Sequence, residues 1–231
     1  LIKKDLKHVK TLTVIIPTRG RLQKLKETLA SIPTLPYVKI SVICDDDAIT
    51  KYELEKMKRS DMSVHCSGKH KGSVWCRNLL IGNEEDGVLY ATDDIIFLPN
   101  SIQTAFETFN RTFLDDDGIV GFLQRPGTFD PTGVGLVGQT FLKRFPNKVL
   151  FFPKYYHFAS QEIGRLCERI KIEARKVVFV QHPSVVVEHK HPGMFKELID
   201  QTHRDARVYK NVDQSLSKQR KQQNLVWGRI V

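Results

Sequence analysis

Gly87-Val88-Leu89-Tyr90-Ala91-Thr92-Asp93-Asp94-Ile95-Ile96-Phe97-Leu98-Pro99 is a short apolar strand that ends in two adjacent carboxylates, before a second apolar run and a proline. An ionised carboxylate is expensive to take out of water, so a buried strand does not end in a pair of them without a partner. Side by side they also repel, unless a cation lies between or in front of them. In an open α/β sheet the carboxyl ends of the strands border the ligand crevice. The stretch therefore points to a divalent metal holding an anionic group, most naturally a diphosphate. The plainer alternative is a polar turn in which Asp caps a helix starting near Pro99.

Outward from this stretch, strand and helix alternate. Thr11–Ile16 is a β-branched strand that Pro17 should stop, and Leu22, Leu25, Leu29 and Ile32 then recur at helical spacing up to Pro33. Val38–Cys44 is a second strand, again tipped by acids (Asp45, Asp46, Asp47). A helix through Tyr52, Leu54 and Met57 precedes a short strand, Met62–Cys66, and a Gly68–Gly72 loop leads into a helical Val74–Ile81. Beyond Pro99 come a helix over Ile102–Phe113 and a strand, Gly118–Phe122. This order predicts a mostly parallel sheet with helices on both faces.

The second half is less regular. Arg125–Gly138, rich in Gly and Pro, reads as a hairpin or a mobile loop. Ser160–Ile172 is helical, and Val177–Val180 and Val185–Val187 are two short strands separated by His182-Pro183. From about Met194 the chain reads as a basic helical tail.

With 231 residues, 41% hydrophobic and 27% charged, the chain fits one soluble α/β domain with a sizeable core. No run is apolar for long enough to span a membrane, and Leu1-Ile2-Lys3-Lys4-Asp5 does not read as a signal peptide. Cys44, Cys66, Cys76 and Cys167 have neither CxxC spacing nor a dense framework, which suits reduced thiols in a cytoplasm. Net charge is +10, concentrated in Lys3, Lys4, Lys7 and Lys10 and again in Arg204, Arg207, Lys210, Lys218, Arg220, Lys221 and Arg229. Such a balance attracts polyanions: nucleic acid, anionic lipid heads or acidic glycans. Solvated helix faces have the same appearance.

Taken in order, these signals resemble the nucleotide-sugar glycosyltransferases of the GT-A fold, in particular the large family 2, over roughly residues 11–191. The residues that carry the likeness are Pro17, Thr18 and Arg21, then Asp45 and Asp46, the Gly72-x-x-x-x-Arg77-Asn78 turn, Asp93 and Asp94, Gln161-Glu162, and the late histidines. The resemblance implies an α/β, Rossmann-like GT-A sheet flanked by helices with a basic C-terminal helical tail. It divides the domain into a nucleotide-sugar half (11–123), an acceptor and metal-completing half (124–193) and the tail (194–231).

The resemblance also assigns roles. Pro17, Thr18 and Arg21 would line the nucleoside pocket, and one of Asp45, Asp46 or Asp47 would accept from the uracil imide. Gly72 would bring backbone near the phosphates, and Arg77 would pair with the diphosphate or base. Asp93 would orient ribose or metal. Asp94 aligns with the usual metal ligand, although Thr92 stands where the family carries its first carboxylate. His189 or His191 would complete the metal shell, and imidazole favours Mn²⁺ over Mg²⁺. Glu162, at a helix start where the family prefers Asp, would be the general base.

The implied activity is metal-dependent, inverting transfer of a hexose or pentose from a UDP-sugar to an acceptor hydroxyl. The tail resembles that of small bacteriophage enzymes, so the favoured acceptor is a hydroxymethylated pyrimidine in phage DNA, in the host cytoplasm. Phe151, Phe152, Tyr155, Tyr156, His157 and Phe158 are candidates to stack on an extruded base, or equally to be core or a sugar platform. A surface glycan or lipid-linked acceptor is the alternative. A sugar nucleotidyltransferase needs a Gly-rich loop after the first strand, and Pro17–Arg21 holds one Gly. A noncatalytic nucleic-acid-binding module would leave Asp93, Asp94, Glu162 and His191 without a purpose. Oligomeric state is not legible.

Overall fold

The computed structural model describes residues 9–84, 86–127, 130–157, 159–189 and 201–231. The first strand, β1 (Leu12–Thr18), is buried along its length and divides its side chains between two cores, Val14 and Ile16 facing one and Ile15 the other. A strand covered on both faces has no polar side to show, hence the unbroken apolar run. β2 (Val38–Cys44) and β4 (Gly87–Tyr90) flank β1 in parallel, and β3 (Met62–Cys66) pairs in parallel with β2. The connecting helices are α1 (Leu22–Ser31), α2 (Ala48–Glu55) and α3 (Ser73–Asn83).

The second half adds β5 (Ile95–Phe97), α4 (Ser101–Thr112), β6 (Ile119–Arg125), β7 (Gly135–Val137), α5 (Gln139–Leu142), α6 (Ser160–Glu173), β8 (Phe179–His189) and α7 (Gln201–Gln222). All eight strands join one sheet in the order β3-β2-β1-β4-β7-β6-β8-β5. β7 is antiparallel to both β4 and β6, and β5 is antiparallel to β8. The residues 125–138 therefore return as a hairpin. On one face α1 and α4 insert Leu25, Leu29, Ile102 and Phe109; on the other, α3, α5 and α6 insert Val74, Leu80, Phe141 and Leu166. Helices flank both faces, as the alternation predicts, and the sheet is mixed, with four of its seven pairings parallel. No helix among the described residues is long and apolar enough to cross a membrane.

Two expectations change. β1 does not stop at Pro17 but runs through it, with Pro17 opposite Ile43. In a parallel strand, odd residues of β1 point their backbone groups toward β4, as the bond from Ala91 N–H to Ile15 C=O shows. The last β4 partner faces Ile15, so the N–H that proline lacks would have met no strand. Second, the two short strands expected around His182-Pro183 are one, β8. It pairs with β6 on both sides of a bulge, Gly121 facing Gln181 and Leu123 facing Val186, and Pro183 lies within the looped-out part. The expected C-terminal helix is α7, and the chain beyond it returns to the domain. α7 ends at Gln222, and the following residues fold back on the domain through Trp227 Nε1–H to Val149 O (2.6 Å) and Arg229 N–H to Arg144 O (2.9 Å).

Candidate active site

The carboxyl ends of β1, β2 and β4 lie on the same side of the sheet, so Thr18, Asp45 and the Asp93-Asp94 pair converge on one crevice. The crevice is a cavity of about 980 Å³ whose wall includes Pro17, Thr18, Arg21, Asp45, Arg77 and His189. Sequence-remote residues meet there because parallel crossovers return each strand in the same direction.

Asp93 and Asp94 are both buried, and their surroundings separate them. Asp93 accepts from Thr18 Oγ1 (2.8 Å) and Arg21 Nη1 (2.9 Å). Burial still dominates at Asp93 and, helped by the neighbouring Asp94 charge, holds its carboxyl above the usual range despite Arg21. Burial would raise Asp94 too, but His189, then Arg21 and Thr92, outweigh it and hold that carboxyl well below the ordinary range. His189 presents Nε2 to Asp94 Oδ1 at 3.4 Å, while its Nδ1 lies 2.7 Å from Gln124 Oε1. Both ring nitrogens of His189 therefore face side-chain oxygens of the cavity.

Arg77, on α3, is 7% exposed, and its Nε is buried without a hydrogen-bond partner among the described residues. Burial pushes its guanidinium pKa down, and the Asp93 and Asp94 charges act against that. A cation buried at the wall of a cavity without a hydrogen-bonded partner at Nε is suited to an anion.

No protein-family model matches the chain, and no curated protein matches it by sequence. Among solved structures, residues 1–349 of S. aureus TarS superpose with a TM-score of 0.58 at 16% identity, over 81% of this chain and 62% of that one. The same TarS segment in complex with UDP gives 0.57 at 15% identity, over 81% and 62%. GalNAc-T7 with UDP, GalNAc and Mn²⁺ gives 0.60 at 13% identity, over 78% and 43%. The chain thus spans less than two thirds of each. It has the GT-A fold.

Within this GT-A sheet the acids after β2 take three different positions. Asp45 lines the cavity but is occupied: Oδ1 accepts from Ser67 Oγ and Lys71 N–H, while Oδ2 accepts from Gly72 N–H and faces His70 Nδ1 at 2.8 Å. Asp46 is exposed in a left-handed turn and outside the wall. Asp47 caps α2 by accepting from Thr50 N–H.

Gly72 immediately precedes α3, at φ 88°, where a Cβ would sit 2.8 Å from Tyr156 O. The wall itself is formed by its neighbours His70 and Ser73. Both strain and overlap forbid a side chain, so Gly72→Ala should destabilise the protein by about 2 kcal/mol. In a thermal melt that is a fall of roughly 4–8 °C. An unchanged midpoint would mean that the loop is not clamped between Asp45 and Tyr156.

Glu162 is placed differently from its expected role. It is 3% exposed, outside the cavity wall, and gripped by Arg220 through Nε (3.0 Å) and Nη2, with Tyr155 O–H at 2.9 Å. A carboxylate so enclosed has no open face for an acceptor. His191, the other expected metal ligand, lies outside the described residues, as does Phe158. Among the described residues no three His, Cys, Asp or Glu side chains cluster as a metal-binding group.

The cavity also contains residues that sequence reasoning did not single out. Gln124 and Asp130 come from β6 and the hairpin loop, Asp130 accepting from Thr132 N–H, Thr132 Oγ1 and Ser160 Oγ. Gln214, Ser217, Lys218 and Lys221 of α7 also form part of the wall. α7 is pinned there by Asp213, which is buried and accepts from Tyr156 N–H (3.0 Å) and His157 N–H (2.8 Å), and by Tyr209 stacked on Tyr156 at 3.7 Å. Burial pushes the His157 imidazole down to about 4, so it lines the cavity uncharged at neutral pH. Burial also pushes the Cys44 and Cys167 thiols up to about 12, leaving them unreactive.

Proposed function

We propose that this chain is a metal-dependent, inverting glycosyltransferase that moves a sugar from a UDP-sugar to an acceptor hydroxyl. One observation carries the proposal: a buried guanidinium, Arg77, shares a cavity with the adjacent buried carboxylates of Asp93 and Asp94. That combination accommodates a diphosphate together with a cation. TarS in complex with UDP and GalNAc-T7 with UDP and Mn²⁺ share the fold.

The residues fit a metal. Asp94 is held ionised and faces a His189 ring nitrogen, a mixed oxygen and nitrogen set that would suit Mn²⁺ better than Mg²⁺. Bound there, the ion would neutralise charge that builds on the departing nucleoside diphosphate. Thr18 and Arg21 fix Asp93, Arg77 pairs with the diphosphate, and Asp45 holds the loop that closes the nucleoside end.

Asp130 replaces Glu162 as the base. It faces the cavity, whereas Glu162 is closed off by Arg220 and the other wall carboxylates serve the nucleotide end or pin α7. The acceptor O–H proton passes to the Asp130 carboxylate as that oxygen bonds to the anomeric carbon. The bond from this carbon to the diphosphate oxygen breaks, and its electron pair leaves with UDP.

The base-specific DNA acceptor finds less support than the charge does. Phe151 and Tyr155 are core residues, and Phe152 packs against Trp227 and Arg220, so they offer no stacking face to a flipped base. Calorimetric titration of UDP tests the proposal. Binding is expected with Mn²⁺ and not with EDTA. Equal affinity in both removes the metal, and no binding in either removes the donor.

A further inference from the structure

β6 carries an amide where its alternation calls for a hydrocarbon. Val120 and Phe122 belong to the core, and Gln124, two residues on, continues that face at 6% exposure. A buried amide is stable when its polar atoms are bonded. Here they are bonded to different ends of the crevice. Nε2 donates to the main-chain oxygen of Asp130 (2.8 Å), and Oε1 lies 2.7 Å from Nδ1 of His189. A carbonyl oxygen only accepts, so the amide nitrogen belongs on the Asp130 side and the amide oxygen is the atom left for the imidazole.

The strands bring these partners together. Gln124 stands opposite Val187 of β8, and His189 lies two residues further along the same face, with its Nε2 toward Asp94. At the other end, Asp130 O accepts a second bond from Gly133 N–H (3.0 Å), while its carboxylate is held by Thr132 and Ser160. A Cβ on Gly133 would sit 2.8 Å from Gln124 Nε2 and 3.2 Å from Asp130 O. Glycine at 133 is therefore what lets the amide reach the loop. The bridge is also uncharged, so it ties the two ends together without adding to the charges of Asp93, Asp94 and Arg77 in the same cavity.

We infer that Gln124 is a positioning residue shared by both ends of the proposed reaction. One amide aims His189 at Asp94 and holds the main chain of Asp130, so that loading of the cation and placement of the base are linked. This rests on the glycosyltransferase reading, in which Asp94 and His189 would hold Mn²⁺ and Asp130 is the base. Such a link is reciprocal: whatever steadies one end steadies the other by the same factor.

The test measures both ends without an acceptor. Mn²⁺ affinity is read from the electron paramagnetic resonance signal of the free ion with UDP present, and the loop from hydrogen exchange across residues 130–134. In the parent chain, Mn²⁺ with UDP should slow that exchange by about fivefold or more. Gln124→Met should weaken Mn²⁺ affinity by about 10–100-fold and lose the slowing. Gln124→Glu keeps an acceptor for His189 but turns an oxygen toward Asp130 O, so it should recover Mn²⁺ affinity relative to Gln124→Met without recovering the slowing. Gly133→Ala leaves the polar atoms in place and crowds only the bridge. It too should lose the slowing, which decides the matter even where Gln124→Met does not fold. Slowing that persists in Gln124→Glu and Gly133→Ala overturns the inference, as does Mn²⁺ affinity that falls in both Gln124 variants only in step with their melting midpoints. Equal Mn²⁺ binding by the parent and Gln124→Met sinks the inference alone, whereas no Mn²⁺ binding by the parent sinks the metal reading and the inference with it.

Discussion

Asp94→Asn is expected to lower sugar transfer by roughly 10³-fold and to abolish the Mn²⁺ dependence of UDP binding. The substitution keeps the shape of the side chain and one acceptor oxygen, so the loss isolates the charge. That charge is what the site is built to preserve: burial works against it, and His189, Arg21 and Thr92 together overcome burial. Asp93 sits one residue away with the opposite bias, held above the usual carboxylate range while bonded to Thr18 and Arg21. Its role as an orienting group predicts a smaller penalty for Asp93→Asn, about 10–100-fold. Thermal melts of both variants separate lost chemistry from lost structure. Transfer by Asp94→Asn within tenfold of the parent, or a larger loss from Asp93→Asn, would move the metal off Asp94.

Local chemistry was legible, and distant pairing was not. Val38–Cys44 and Met62–Cys66 can be read to the residue because each is an apolar or alternating run with turn residues on both sides, and nothing outside the segment competes. The Asp93-Asp94 tip is equally local, since the cost of burying adjacent acids is a property of the dipeptide and its strand. Pro17 and Pro183 mislead for the opposite reason. Whether a missing N–H ends a strand depends on whether a neighbouring strand faces it, and that neighbour lies elsewhere in the chain. Asp130 could not be separated from other loop acids until the hairpin placed it beside Ser160. The basic residues of α7 announced a charge but not their partners. Arg220 is 58 residues from Glu162, and no spacing rule connects them.

That pair sets the second large effect. Arg220→Met should destabilise the protein by about 3–5 kcal/mol, because it strands a buried carboxylate without its main counter-charge. For a chain of this size the melting midpoint should fall by roughly 6–20 °C. Tyr155 O–H and the 3.6 Å contact with Arg165 remain to Glu162, which places the effect toward the lower end of that range. Arg220 also covers Phe152 at 3.8 Å, and methionine keeps part of that packing. Adding Glu162→Gln to Arg220→Met should restore much of the loss, because a neutral amide costs far less to bury than an unpaired anion. The same variants decide between the structural and catalytic readings of Glu162. A structural carboxylate predicts that Glu162→Gln lowers the midpoint while sugar transfer, assayed well below it, stays within tenfold. A general base predicts the reverse, an ordinary midpoint with transfer lost. Since Asp130 is the proposed base, Asp130→Asn should show that reverse pattern, and transfer surviving in it together with collapse in Glu162→Gln would return the proton to Glu162.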